Sequence, residues 1–379
     1  MDGNNIVNPA GTPLKVLRGS CVIYLAYDFA REVDVEYAAK ELKAEVMRPQ
    51  LAEARPQSKY FGYDPRPARF VRKSELHKFG TYVTEPEVAC TVWDFGGITL
   101  AFRIQLQGAA FAELVELSAI LDESQILEEE GRSIVQSTLG ELRRSVKSPN
   151  FDDSVEDYVV FHVAQFDRPL SARELYNQEG PAIARLVRGE KVRLSAGVIE
   201  ETLKYRCSYK ADERTGDDSD VTVIGWNSAL VYEPDAAAVE DIGAVFEFTL
   251  AHLLEMRLLD EKLDSYLDDA YRVSLRRGRW FNANFSQVGL LQVDAAMLFE
   301  AVNNALKLVG DEYLAEVHNL AAERFGFAEL HRTIRRKLET LQEIYQKLAD
   351  RRSHRRAEIM ELTVILLIAL EIVLRLLDA

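Results

Sequence analysis

The last stretch of the chain constrains what it can fold into more than any other. Arg351 to Ala379 opens with Arg351-Arg352-Ser353-His354-Arg355-Arg356, and from Ile359 to Leu377 only Glu361, Thr363, Glu371 and Arg375 interrupt an apolar run. About 20 helical residues cross a bilayer core, so the length predicts a C-terminal transmembrane helix, a tail anchor. Arginines beside such a helix hold that side in the cytoplasm, which places the bulk of the chain on the cytoplasmic face of a bacterial inner membrane or its equivalent. The alternative is a helix buried in a subunit interface, because Glu371 and Arg375 are costly in lipid unless they pair. Either way Arg351, Arg352, Arg355, Arg356, Glu371 and Arg375 are expected at a lipid or oligomer contact.

A chain of 379 residues is too long for one small core and suggests two domains plus the tail. With 46 basic and 61 acidic residues the formal charge is −15, which argues against direct DNA binding. The charge is uneven: between Arg332 and Arg356 the basic residues outnumber the acidic ones, as a membrane-facing surface would. Cys21, Cys90 and Cys207 lie far apart with no CxxC or CxxH spacing, so neither disulfides nor zinc are indicated. Met1 to Pro13 has no secretory or import pattern.

Along the chain, Cys21 to Ala26 reads as a strand and Val33 to Met47 as a helix. Arg48 to Arg69, with four prolines, reads as a long irregular loop. Val88–Asp94 and Ile98–Ile104 form a hairpin around Phe95-Gly96-Gly97. Helices follow at Ala109–Leu121 and Ser124–Val146, then a strand at Asp157–Val163. A capping box at Ser171 and Glu174 starts the next helix. After a helix at Ser195–Tyr205 and a charged turn at Lys210–Asp220, Val221–Gly225 and Ala229–Tyr232 make a second hairpin around Trp226-Asn227. This order predicts an α+β domain over residues 1–234, compatible with a ferredoxin-like mixed layer. Residues 235–350 carry two apolar stripes, from Ile242 to Ala270 and from Ile334 to Leu348, which predict an antiparallel helical hairpin, stalk or small bundle with coiled-coil character. Residues 351–379 are the basic collar and apolar helix.

Catalysis finds no motif: there is no phosphate loop, dinucleotide fingerprint, nucleophile elbow or HExxH. The nearest to an enzyme-like cluster is His252 with Glu255, Asp260 and Asp264, where a metal-dependent hydrolase would hold its ion; a charged helix face explains the same residues. Cys207 sits between aromatic residues with no histidine beside it in sequence, the setting of a packed and inert thiol. No cofactor is expected.

Several blocks together resemble the required-for-meiotic-nuclear-division family. They are Tyr205-Arg206-Cys207-Ser208-Tyr209, then Val223-Ile224 with Trp226-Asn227 through Tyr232, then Leu253-Leu254-Glu255-Met256-Arg257 with Asp260 and Leu263, and finally Ser353-His354-Arg355-Arg356 leading to Leu367–Val373. The resemblance implies an α+β domain, a helical stalk and a C-terminal membrane helix carrying Glu371. It implies no enzymatic activity, and a homo-oligomer that in one member supports organelle translation by holding ribosomes near the membrane. The expectation is therefore a non-enzymatic, membrane-anchored, self-associating scaffold that holds a cytoplasmic protein or ribonucleoprotein partner.

Overall fold

A computed structural model of the chain describes residues 13–42, 66–142, 144–151, 154–208, 220–275, 293 and 312–377. Two compact units emerge, one of residues 1–255 and 300–328 and the other of residues 256–299 and 329–379.

The first unit is α+β and is organised by one long strand. β1, Val16–Asp28, pairs antiparallel with β7, Gly97–Gln105, on one side and with β9, Val155–Phe166, on the other. With β3 (Ala68–Lys73), β6 (Glu87–Val92), β10 (Arg206–Cys207), β11 (Val221–Ile224) and β12 (Ser228–Tyr232), these make an eight-stranded sheet in the order β10-β11-β12-β9-β1-β7-β6-β3. Every pairing is antiparallel except β9 with β12. Two short pairs stand apart, β2 (Ala30–Val33) with β8 (Val146–Pro149) and β4 (Lys78–Phe79) with β5 (Tyr82–Val83).

Period-two alternation decides which face each side chain takes. In β7, Ile98, Leu100, Phe102 and Ile104 join the main core, whereas Thr99, Ala101, Arg103 and Gln105 point to the opposite face. The first face is covered by α2 (Phe111–Asp122), α3 (Ile126–Glu141) and α4 (Ala172–Arg188), which bring Leu114, Leu117, Val135, Ile183 and Leu186 into that core. Helix α4 starts on the anticipated capping box: Ser171 Oγ accepts from Glu174 N at 3.2 Å and the Glu174 carboxylate accepts from Ser171 N at 2.9 Å. α1 (Val35–Glu41) and α5 (Ala196–Leu203) are shorter.

The second face is covered by the start of α6, Ala236–Leu275, and by α7, Glu312–Arg324. Phe246 stacks on Tyr158 at 5.3 Å, Phe248 packs on Trp93 at 5.6 Å, and Tyr313 exchanges a hydrogen bond with Thr222 at 2.8 Å. A polar knot lies within this layer. Thr99 Oγ1 donates to the buried Glu247 carboxylate at 2.5 Å and accepts the Trp93 indole N–H at 3.2 Å, while Arg69 sits 3.9 Å from Glu247.

His318 on α7 is 1 % exposed, and neither ring nitrogen has a hydrogen-bond partner among the described residues. Burial favours the neutral ring and pushes its pKa down to about 4. The folded pKa lies below the unfolded value near 6.5, so the unfolded chain binds the proton more tightly. Stability from this residue is whole above about pH 6.5 and falls as pH drops toward 4. The His318→Leu variant should lose that part of the acid slope when urea midpoints are compared at pH 4.5 and 7, and an unchanged slope would refute it.

In the second unit the end of α6 lies beside α8, Phe327–Leu377, with Leu263, Ile334 and Leu341 buried. Lys337 bonds both Asp260 and Asp264 at 2.7 Å. Farther along α8, Tyr345 feels Tyr266 and Asp269. Both helices therefore advance in the same direction here.

Four expectations are corrected. The sheet has eight strands, larger than a ferredoxin-like layer. β3 occupies the end of the stretch read as a loop from Arg48 to Arg69, while residues 43–65 and the turn at 209–219 lie outside the described residues. The helical hairpin is parallel where it was expected to be antiparallel, since α7 intervenes between its arms. The transmembrane anchor is not supported: no helix of the described residues is long and apolar enough to cross a membrane. The collar and the run behind it belong to one continuous helix, and its longest uncharged run, Leu362 to Leu370, is nine residues, well short of the ~20 a bilayer needs.

Candidate functional site

Two surfaces stand out, one in each unit. The first is the far part of α8. Met360, Leu362, Val364, Ile365, Leu366, Leu367 and Ile368 are each between 52 and 70 % exposed. Among the described side chains from Met360 to Ile368 only Glu361 and Thr363 are polar, so at 3.6 residues per turn apolar residues occupy most of the circumference. An amphipathic surface helix carries a single apolar stripe; one that is apolar nearly all round belongs inside something. The exposed apolar area of those seven residues is on the order of 800 Å², one partner's share of a standard interface.

The second surface lies where α6 stops covering the second face of the sheet. Register sets Ser20 of β1 opposite His162 of β9 and opposite Gln105 of β7. A bulge at Arg18 and Gly19 shifts the β1–β9 register, turning Arg18 so that its guanidinium donates to the Pro234 carbonyl at 3.4 Å. Arg103, two residues before Gln105, donates to Ser20 Oγ at 3.4 Å. His162 Nε2 bonds the Glu233 carbonyl at 2.8 Å, which fixes that nitrogen as the donor. Burial lowers the His162 pKa; the bond to Glu233 opposes it, and the Arg103 and Arg18 charges add smaller downward effects, so the ring is neutral near pH 7.

The residues singled out from sequence are dispersed. Arg206 donates to Tyr176 Oη at 2.6 Å and stacks over that ring, and Lys204 and Arg324 each lie over the Tyr205 ring. Cys207 is buried and its thiol pKa is pushed far up by burial, against a nucleophilic role. Ser208 is half-buried, and Tyr209 lies outside the described residues. Trp226 is exposed at the β11–β12 turn while Asn227 donates to Asp122 at 2.6 Å. Glu255 and Arg257 are half-buried on α6. Side chains at Arg351, Arg352, Arg355, Arg356, Glu371 and Arg375 lie outside the described set, although the helix passes through all six. His252 is buried against Phe248 and Phe95, and Asp260 is held by Lys337. Among the described residues no group of three or more His, Cys, Asp or Glu is placed to hold a metal. A cavity of about 70 Å³ beneath α2 and α3, between Leu25, Phe79 and Leu127, has room for little more than water.

Arg18, Ser20, Arg103 and His162 were not singled out from sequence. Their signal was present: each is a polar residue inside an otherwise apolar strand, at a position that alternation directs away from the main core.

The fold and these surfaces define an α+β domain of unknown function joined to long helices. The chain belongs to the family described as "Uncharacterized protein MJ0711, N-terminal domain", matched over residues 18–238, which spans β1 to the start of α6. It is 21 % identical over 233 residues to the uncharacterized protein MJ0711 of Methanocaldococcus jannaschii, covering 61 % of this chain and 69 % of that protein. No solved structure matches. This supports a domain of unknown function and not the meiotic-division family. Short apolar blocks such as Ala229–Tyr232 and Leu367–Val373 satisfy what any buried strand or packed helix needs, and so resemble one another across families.

Proposed function

We propose that this protein is a non-enzymatic scaffold whose copies assemble through the far part of α8 and so present several α+β domains to one partner. The exposed run from Met360 to Ile368 carries the reading. A monomer rarely exposes a contiguous apolar patch beyond a few hundred Å². One partner helix would cover one side of this run, whereas a bundle of several copies covers nearly all of it and leaves Glu361 at a water-facing edge. Lipid would surround that carboxylate at a cost. Presenting several weak sites together raises the effective affinity for a large protein or ribonucleoprotein partner.

The test is the solution mass of the full chain without detergent, beside Leu362→Lys with Leu366→Lys. Both positions are exposed in the single chain, so folding should be spared. The wild type should be a multimer and the variant should sediment at the mass of one chain with unchanged thermal unfolding. A monomeric wild type, or a variant that keeps its mass, would sink the proposal.

A second reading draws on Arg351, Arg352, Arg355 and Arg356, directly before the run. Such a cluster is attracted to anionic headgroups, which would hold the assembly at a membrane with the α+β domains on the cytoplasmic side. Flotation with anionic vesicles, lost on replacing the four arginines with glutamine, is the outcome that favours it.

A further inference from the structure

We infer that the part of the second sheet face where the exposed Arg18 and Arg103 flank Ser20 and His162 binds a phosphate-type oxyanion. Three observations converge. Neither Arg18 nor Arg103 is in an ion pair among the described residues; their contacts are the Pro234 carbonyl and the Ser20 hydroxyl, both at 3.4 Å. Both guanidinium side chains are exposed, while Ser20 beside them is 5 % exposed and His162 is half-buried. The two are close enough that both act on the His162 ring, and Ser20 lies between them on the central strand.

Nearby acidic groups are already engaged. The Glu85 carboxylate accepts from Gln105 Nε2 at 2.5 Å, Glu233 accepts from the Asp235 amide at 2.8 Å, and Asp235 accepts from the Ala237 amide at 3.0 Å. Asp167 accepts from the Lys15 amide at 3.3 Å. The arginines therefore have donors to spare. A guanidinium offers a planar fork matched to two oxygens of a phosphoryl group, and two forks can divide three oxygens between them. The Ser20 hydroxyl can turn to donate. His162, with Nε2 fixed as donor, leaves Nδ1 as the atom that meets a protonated phosphate oxygen. The β1–β9 register shifts on both sides of Arg18, and its side chain reaches the Pro234 carbonyl beside His162's partner Glu233.

The site lies in the first unit and does not depend on assembly through α8. The probe is inorganic phosphate, titrated calorimetrically into the full chain, with phosphatidic acid vesicles as a second arm for a headgroup source. Saturable binding at millimolar concentration or tighter is expected, weakened about tenfold by Arg103→Gln and again by Arg18→Gln, the loss of one charge-assisted bond each. Arg193→Gln, on the exposed connection between α4 and α5, should change nothing. If only the vesicles bind, and the same two substitutions abolish it, the oxyanion is a lipid headgroup. No saturable binding in either arm, or binding that survives both substitutions, would overturn the inference. Mass measurement on the same samples separates this result from the assembly proposal, because Arg103→Gln should leave the oligomer intact.

Discussion

The Gly225→Ala variant is expected to lose about 3 kcal/mol or more of folding stability, the scale of severe overpacking. A Cβ at this position would sit 1.9 Å from the Val187 carbonyl oxygen and 2.7 Å from its carbon. Those are backbone atoms at the end of α4, so no rotamer change relieves the clash. The turn after β11 cannot retreat either. Gly225 N donates to Ser228 O at 2.8 Å, its carbonyl accepts the buried Tyr158 hydroxyl at 3.2 Å, and Ser228 Oγ donates to Leu186 O at 3.0 Å. Helix α4 would have to lift from the sheet, uncovering Ile183, Leu186 and Val187. Gly140→Ala is the control: it lies in α3 with nothing within 4 Å of the added Cβ, and there alanine should raise stability by about 0.5–1 kcal/mol. Chemical denaturation of both variants decides the matter, and a Gly225→Ala loss below that of an ordinary surface change would contradict the close approach.

The Thr99→Val variant should cost about 3 kcal/mol although it keeps the shape of the side chain. The hydroxyl it removes serves two partners at once, donating to Glu247 and accepting from Trp93. Glu247 is 4 % exposed and its cation, Arg69, stands at 3.9 Å, too far for a strong hydrogen bond. Without Thr99 a charged carboxylate is left buried with a weakened set of donors, and such a group costs far more than an ordinary hydrogen bond returns. Thr99→Ser, which keeps the hydroxyl and loses a methyl, should recover most of the difference. Equal losses for valine and serine would show that packing, not the polar knot, is what Thr99 contributes.

How much of this was legible in the sequence follows from what each signal encodes. The β6–β7 hairpin was readable because Gly96 must take a positive φ, and it does, at 100°. The capping box at Ser171 was readable because both partners lie within four residues. β3 was hidden: Arg69, Arg72 and Lys73 give an edge strand the charges that blunt it, and the prolines before it suggest only a loop. The direction of α8 against α6 was illegible, since an apolar stripe shows which face is buried but not which way its neighbour runs. The oxyanion site was legible only as separate polar residues in apolar strands, and their grouping was not. Arg18, Arg103 and His162 come from three strands far apart in sequence, and only the register of β1 brings them together.

That register also divides the sheet in time. β3, β6, β7 and β1 are complete once Gln105 has been made, whereas β9 to β12 begin only at Val155, and the single joint between the two halves is β1 with β9. A chain emerging at about 5–20 residues per second thus exposes one edge of a 13-residue strand for seconds before its own partner arrives. In that interval the β9 of a neighbouring chain offers identical hydrogen bonds. An exchange of C-terminal halves between two copies would keep every sheet pairing and alter only the connection between β7 and β9, so crowded synthesis, such as several ribosomes on one message, is the condition that favours such interlocking.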